Sequence, residues 1–169
     1  MNDFQEQFSL VYDEYIEKIY RFVYLKVNSQ EIAEDITSRV FLSGWEAYQK
    51  GPERIQNVKA FLYQIARNMV IDHYRGKSRI NTVSTELTKE VADHRTNLHE
   101  RAVINSDMEA VKLAIHGLKK DYQDVLILHY LEDMGVEDIS SILSKPAGTV
   151  RVMIHRGLNS LRDKLVDQA

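Results

Sequence analysis

Seven glycines and two prolines are all the chain breakers this 169-residue sequence holds. Average usage would supply roughly 12% of these two residues together. A β-sandwich or barrel needs a turn signal about every 8–12 positions, and nine breakers cannot provide them. The expected fold class is therefore all-α. At roughly 100–200 residues per domain, the length allows one domain or two small ones. Hydrophobic residues make up 44% and charged residues 28%, enough to build cores rather than leave a disordered chain. Cysteine is absent, which removes disulfides, thiolate metal sites and thiol nucleophiles together. No apolar run approaches the roughly 18 residues of a membrane span, and the opening Met1–Phe8 shows neither a basic leader nor an apolar core. A soluble cytoplasmic protein with no direct membrane insertion is expected.

The net charge of −3 conceals a strong pattern. Between residues 61 and 80, Arg67, Arg75, Lys77 and Arg79 face Asp72 alone. Between 144 and 164, Lys145, Arg151, Arg156, Arg162 and Lys164 face only Asp163. The intervening and preceding segments are acidic. Two basic islands in an acidic frame can bind phosphate at two separated places and repel it elsewhere. The same islands can also be solvated helix faces, and charge alone does not choose between the two.

Hydrophobic periodicity sets the organisation. Phe8, Val11, Tyr15, Ile19 and Phe22 recur at helical spacing and predict a first helix from about Phe4 to Val27. Asn28 and Ser29 break it and can cap a second helix, which carries Ile32, Ile36, Val40, Phe41, Trp45 and Tyr48 and stops at Gly51-Pro52. Asn57 can cap a third, with Phe61, Leu62, Ile65, Met69 and Val70 on its apolar face and an end near Gly76. Three matching stripes make a bundle. From Lys77 to about Asn105 the period collapses into a polar stretch that reads as a flexible linker. Ser106-Asp107-Met108-Glu109 has the capping-box pattern, and helical stripes resume at Met108, Val111, Ile115 and Leu118, then at Val125, Leu126 and Leu131.

The last segment is the most informative. Val136–Leu143 reads as a short helix and Ser144-Lys145-Pro146 as a tight turn. A longer helix follows, with Val150, Ile154, Leu158, Leu161 and Leu165 on one stripe. Its opposite side presents Val152, His155, Arg156, Asn159 and Asp163, flanked by Arg151 and Arg162. A short helix, a sharp turn and a longer helix with a basic face are the parts of a helix-turn-helix. Such a helix fits the major groove, where Arg pairs with guanine, Asn with adenine and an aliphatic such as Val152 touches a thymine methyl. A plain helical hairpin with a soluble face has the same parts.

Taken together, these segments resemble the extracytoplasmic-function sigma factors, the small two-domain members of the bacterial sigma factor family. Ala33-Glu34-Asp35-Ile36-Thr37, with Val40-Phe41-Leu42 and Trp45, is similar to the family's polymerase-docking helix. Phe61–Asn68, with Asp72 and Arg75, is similar to the helix beside its promoter-melting loop. Gly148-Thr149-Val150-Arg151, with His155-Arg156 and Leu161-Arg162, is similar to its second-domain recognition helix. The resemblance implies a dissociable specificity subunit of RNA polymerase: a region 2-like domain over 1–78, a linker over 79–105, and a region 4-like helix-turn-helix domain over 106–169. Its implied partners are core RNA polymerase, through the beta-prime clamp and beta flap, promoter DNA both single-stranded and duplex, and an anti-sigma factor. It implies no catalysis, no cofactor and no metal.

Site residues follow from the same resemblance. Glu34, Asp35, Ser38, Arg39 and Leu42 are the implied polymerase contacts. Arg54, Gln56, Asn57 and Lys59 would read minus-ten bases, with Arg67, Asn68, Arg75, Lys77 and Arg79 along the backbone path. Tyr63 lies off the apolar stripe and is expected to face DNA, whereas Phe61 and Trp45 are expected in the core. Thr149, Arg151, Val152, His155, Arg156 and Asn159 would contact the minus-thirty-five duplex. Three departures from the family stand out. Ser38-Arg39 replaces an amide and an acid on the docking face, Val152-Met153 replaces a Ser-Arg pair on the recognition helix, and Asp133–Val136 differs from the common turn. Two other function classes share parts of this pattern: a stand-alone helix-turn-helix regulator, which leaves the 30–75 motifs unexplained, and a degenerate sigma-like interaction protein. An enzyme finds no support, since no phosphate loop, nucleophile elbow or paired metal-ligand histidines occur. His94 and His99 lie in the polar stretch at a spacing that suits no metal site.

Overall fold

A computed structural model describes residues 3–77 and 106–167, and all the regular structure among them is helical. They belong to two compact units, Met1–Ile104 and Asn105–Ala169. The linker expected over 79–105 lies outside the described residues, and with it Arg79, His94 and His99. The side chains of Lys77 and of Ser106, the proposed capping-box hydroxyl, are likewise outside them.

The first unit is a bundle of α1 (Asp3–Val27), α2 (Gln30–Lys50) and α3 (Val58–Lys77), each packed on the other two. Its corners are built as the sequence predicts. Asn28 takes a left-handed conformation, φ 54°, which an asparagine tolerates better than most residues. Ser29 Oγ accepts from the Ile32 amide at 3.3 Å. After a short 3-10 turn, Pro52–Arg54, Asn57 Oδ1 accepts from the Ala60 amide at 3.1 Å and starts α3. Each cap satisfies a helix-end amide that would otherwise lack a partner. The core is Ile19, Phe22, Val23 and Leu25 of α1, Ile36 and Val40 of α2, and Leu62, Ala66 and Val70 of α3. A large apolar side chain fully buried in this way contributes about 1.5–3 kcal/mol. At Gly44 a Cβ would meet Leu62 Cδ2 at 2.9 Å, so any other residue there would require the Leu62 side chain to shift.

The second unit contains α4 (Ser106–His116), α5 (Lys120–Leu126), α6 (Val136–Leu143) and α7 (Ala147–Asp167). α5 runs into one π turn, Ile127–Leu131, an extra residue per turn that the apolar pattern does not reveal. His129 Nδ1 donates to the Met134 carbonyl at 2.9 Å and closes that turn. Gln123 is buried and its Nε2 donates to the carbonyls of His116 and Leu118, at 3.2 and 3.1 Å, tying the α4–α5 corner. The turn between α6 and α7 is as expected: Ser144 is left-handed, φ 55°, and the Val150 amide reaches back to Pro146.

The seating of α7 corrects the sequence reading. The residues it buries are Val150, Met153 and Gly157. Ile154, Leu158 and Leu161 are only half-buried, and Leu165 is exposed. The buried row therefore sits about a fifth of a turn from the expected one, with Gly157 rather than a leucine set against α5. A Cβ there would lie 3.3 Å from Tyr122 Cβ and 3.4 Å from Leu126 Cγ.

Candidate nucleic-acid interface

Two faces, one on each unit, gather the sequence-predicted residues. In the second unit Thr149, Arg151, Val152, His155, Arg156 and Asn159 are all exposed on α7. Thr149, Val152, His155, Arg156 and Asn159 recur at three- and four-residue steps and so share one side of the helix. Asn159 and His155 approach to 3.5 Å across one turn. Val152, 47% exposed, is the one apolar member. Met153 is buried, so the supposed loss of a cation at that position is a core contact and takes nothing from the exposed face. A helix held by α5 and α6 and displaying this set is dimensioned for a major groove.

In the first unit the exposed residues of the 51–57 corner are Glu53, Arg54, Gln56 and Asn57. Asn57 carries two duties. Its Oδ1 is committed to the Ala60 amide, which leaves the Nδ2 donors as its outward chemistry. Along α3, Gln64, Arg67, Asn68, Ile71 and Arg75 form a second stripe; Asn68 and Arg75 are exposed, and Arg67 is half-buried with an interaction of its own. Lys59 is half-buried too.

Tyr63 does not join that face. It is fully buried, edge-on to Phe22 with ring centroids 5.5 Å apart, and no base could stack on it. The helix rotates so that Leu62, Tyr63, Ala66 and Val70 face the core. Phe61, assigned to the core from sequence, is half-buried and falls beside Gln64 and Asn68 on the outward stripe. Trp45 is half-buried rather than enclosed, 5.3 Å from the Phe8 ring.

The expected docking helix divides in the same way. Asp35, Ser38, Arg39 and Leu42 are exposed at helical spacing and make one ridge on α2. Glu34 points inward and is 5% exposed, with its Oε1 accepting from Gln30 Nε2 at 3.1 Å. Burial, followed by the Glu34 carboxylate and the neighbouring Tyr24, pushes the Tyr20 phenol well above its ordinary value. Glu34 is thus a core carboxylate and not a surface contact. Arg39 lies 3.6 Å from Asp35 one turn back, so the cation that departs from the family pattern meets a carboxylate of its own helix. An exposed pair of this kind contributes about 0–1 kcal/mol and leaves both groups able to exchange partners.

Sequence reasoning passed over Lys26, 2% exposed on α1 with its ammonium 5.6 Å from the Phe22 ring. Its own carbonyl accepts from the Tyr74 hydroxyl, and burial raises the Tyr74 phenol. No apolar period could have flagged it, because a lysine on a helix scores as surface. Among the described residues no group of acidic and histidine side chains could hold a metal ion, and no helix is long and apolar enough to cross a membrane.

Comparison with known proteins identifies both units. Residues 11–80 match the Sigma-70 region 2 model and residues 108–161 the Sigma-70 region 4 model. The ECF RNA polymerase sigma factor SigW of Bacillus subtilis is 30% identical over 173 residues, covering 96% of this chain and 91% of that protein. The ECF RNA polymerase sigma factor BldN of Streptomyces coelicolor is 27% identical; the match covers 97% of this chain but 62% of BldN's length. Two solved structures share the fold. Sigma factor RpoE of Bartonella quintana, in complex with the anti-sigma factor NepR, has a TM-score of 0.70 at 22% identity and covers 98% of both chains. CnrH, in complex with the cytosolic domain of CnrY, has a TM-score of 0.67 at 15% identity, covering 98% of this chain and 91% of CnrH.

Proposed function

This chain belongs to the sigma-70 family, among its ECF sigma factors, and from that premise we propose how its residues divide the work of promoter-specific initiation by RNA polymerase. The α2 ridge of Asp35, Ser38, Arg39 and Leu42 docks on the beta-prime clamp. The 51–57 corner and the outward stripe of α3, from Phe61 to Arg75, receive the displaced strand of the minus-ten element. Cations hold its backbone, and the Phe61 edge with the amides of Gln56 and Asn57 meets extruded bases. The outward side of α7 enters the major groove of the minus-thirty-five duplex, and its unit contacts the beta flap. The chain works in the cytoplasm, where its polymerase is, and contributes binding rather than catalysis. An anti-sigma protein holds it when it is idle, as NepR accompanies RpoE in the complex above.

One observation carries this reading. Region 2 and region 4 occur in order on a single chain, and each presents an exposed polar and basic face at the residues that differ most from the acidic remainder. A stand-alone DNA-binding regulator would need only the second.

The test separates opening from docking. In the double variant Arg54→Ala/Asn57→Ser, serine keeps a capping oxygen for α3 while the cation and the amide are lost. Polymerase binding, measured by co-elution with core enzyme, should persist. Strand opening, measured by permanganate reactivity of unpaired thymines, should fall. Equal loss of both would remove this corner from the melting site.

A further inference from the structure

The N-terminal half of α1 carries a surface that none of these roles uses. Gln5, Phe8, Ser9 and Tyr12 fall on one stripe of α1 and, with Trp45 of α2, line an open groove of about 460 Å³. Its wall is aromatic. Phe8 sits 5.3 Å from Trp45 and 5.6 Å from Tyr48, and Tyr12 is edge-on to Phe41 at 5.0 Å. Tyr12 is nevertheless 44% exposed. Gln5, Phe8 and Ser9 precede residue 11, where the region 2 match begins.

The charge around the groove says what would cover it. On α1 the exposed carboxylates of Glu6 and Asp13 stand roughly 100° around the helix from the groove's lining stripe, and no lysine or arginine precedes Lys18. On the opposing stretch of α2, Glu46 and Lys50 cancel. An apolar channel flanked by carboxylates complements a helix with large apolar side chains on one face and cations beside them. The geometry points to this groove as the docking site for a basic amphipathic helix of a protein partner.

Trp45 is the sole tryptophan of the chain, so its emission reports occupancy directly. The probe is a synthetic amphipathic peptide of leucine and lysine, titrated into the full-length protein. Trp45 emission should shift to shorter wavelength and saturate, and a scrambled peptide of the same composition should leave it unchanged. Ser9→Arg, which places a cation in the groove on an already exposed position, should weaken the peptide by about tenfold or more. Leu113→Ala, at an exposed position on the other unit, should have no effect. The proposal is overturned if Trp45 does not respond, if the scrambled peptide acts equally, or if Ser9→Arg binds like the parent. A shift that follows protein concentration without peptide would assign the groove to a second copy of the chain and overturn it too.

Discussion

Arg156 projects from the exposed side of α7, and the four residues on either side of it include no carboxylate. Nothing on its own helix therefore competes for the guanidinium, and it is available to guanine or to a phosphate. Arg156→Ala should weaken binding to a promoter duplex by about 1–3 kcal/mol, and a phosphate contact would also lower the salt slope by about 1. Titration at several salt concentrations distinguishes the two; an unchanged affinity and slope would remove Arg156 from the interface. Tyr20 makes a different prediction at the same scale. Burial, then the charge of Glu34, raises its phenol above the ordinary value, and burial raises Tyr74 in the same direction. The unfolded chain ionises these phenols near pH 10, whereas the folded one resists. Their contribution is complete below that pH, and stability falls as pH rises beyond it. Denaturant midpoints between neutral pH and about pH 11 should decline, and Tyr20→Phe should flatten the decline. A Tyr20→Phe protein with the same alkaline slope would show that ionisation at Tyr20 is not its source.

At the scale of the element, α7 depends on a residue with no side chain. Gly157 lies 3.3–3.5 Å, measured from where a Cβ would stand, from Tyr122 and Leu126. Gly157→Val must therefore push α7 away from α5, and overpacking of this kind costs about 1–3 kcal/mol. Duplex binding should fall together with the thermal stability of the second unit. A variant that keeps both would mean the crossing is looser than the distances imply. This is also where the sequence was hardest to read. Stripes such as Phe8–Ile19–Phe22 and Ile36–Val40 were legible because their buried positions are apolar and their period is 3.6. The caps at Ser29 and Asn57 were legible because their chemistry is local. On α7 two apolar rows compete, Val150–Met153 and Val150–Ile154–Leu158, and a glycine adds no hydrophobicity to the winning one. Glu34, Lys26 and Gln123 are buried polar groups whose environments come largely from tertiary packing, so no local pattern marks them. Phe61 and Tyr63 exchange places because residues two positions apart on a helix differ by about 200°, while Leu62 and Val70, which are buried, fit a row drawn through either ring.

For the whole molecule, the relevant electrostatic quantity is the distribution of charge rather than its sum. A chain of net charge −3 would be repelled by DNA if that charge were uniform. With cations concentrated on α3 and α7, attraction acts at two faces and the acidic segments resist binding elsewhere, which favours DNA that offers both elements. The central claim is that one chain reads two promoter elements on behalf of core polymerase. The most direct measurement gives purified protein and sigma-free bacterial core enzyme a library of genomic fragments and maps the 5′ ends of the transcripts. The account predicts discrete starts preceded by a shared pair of elements. Binding to core enzyme without any discrete start would contradict it.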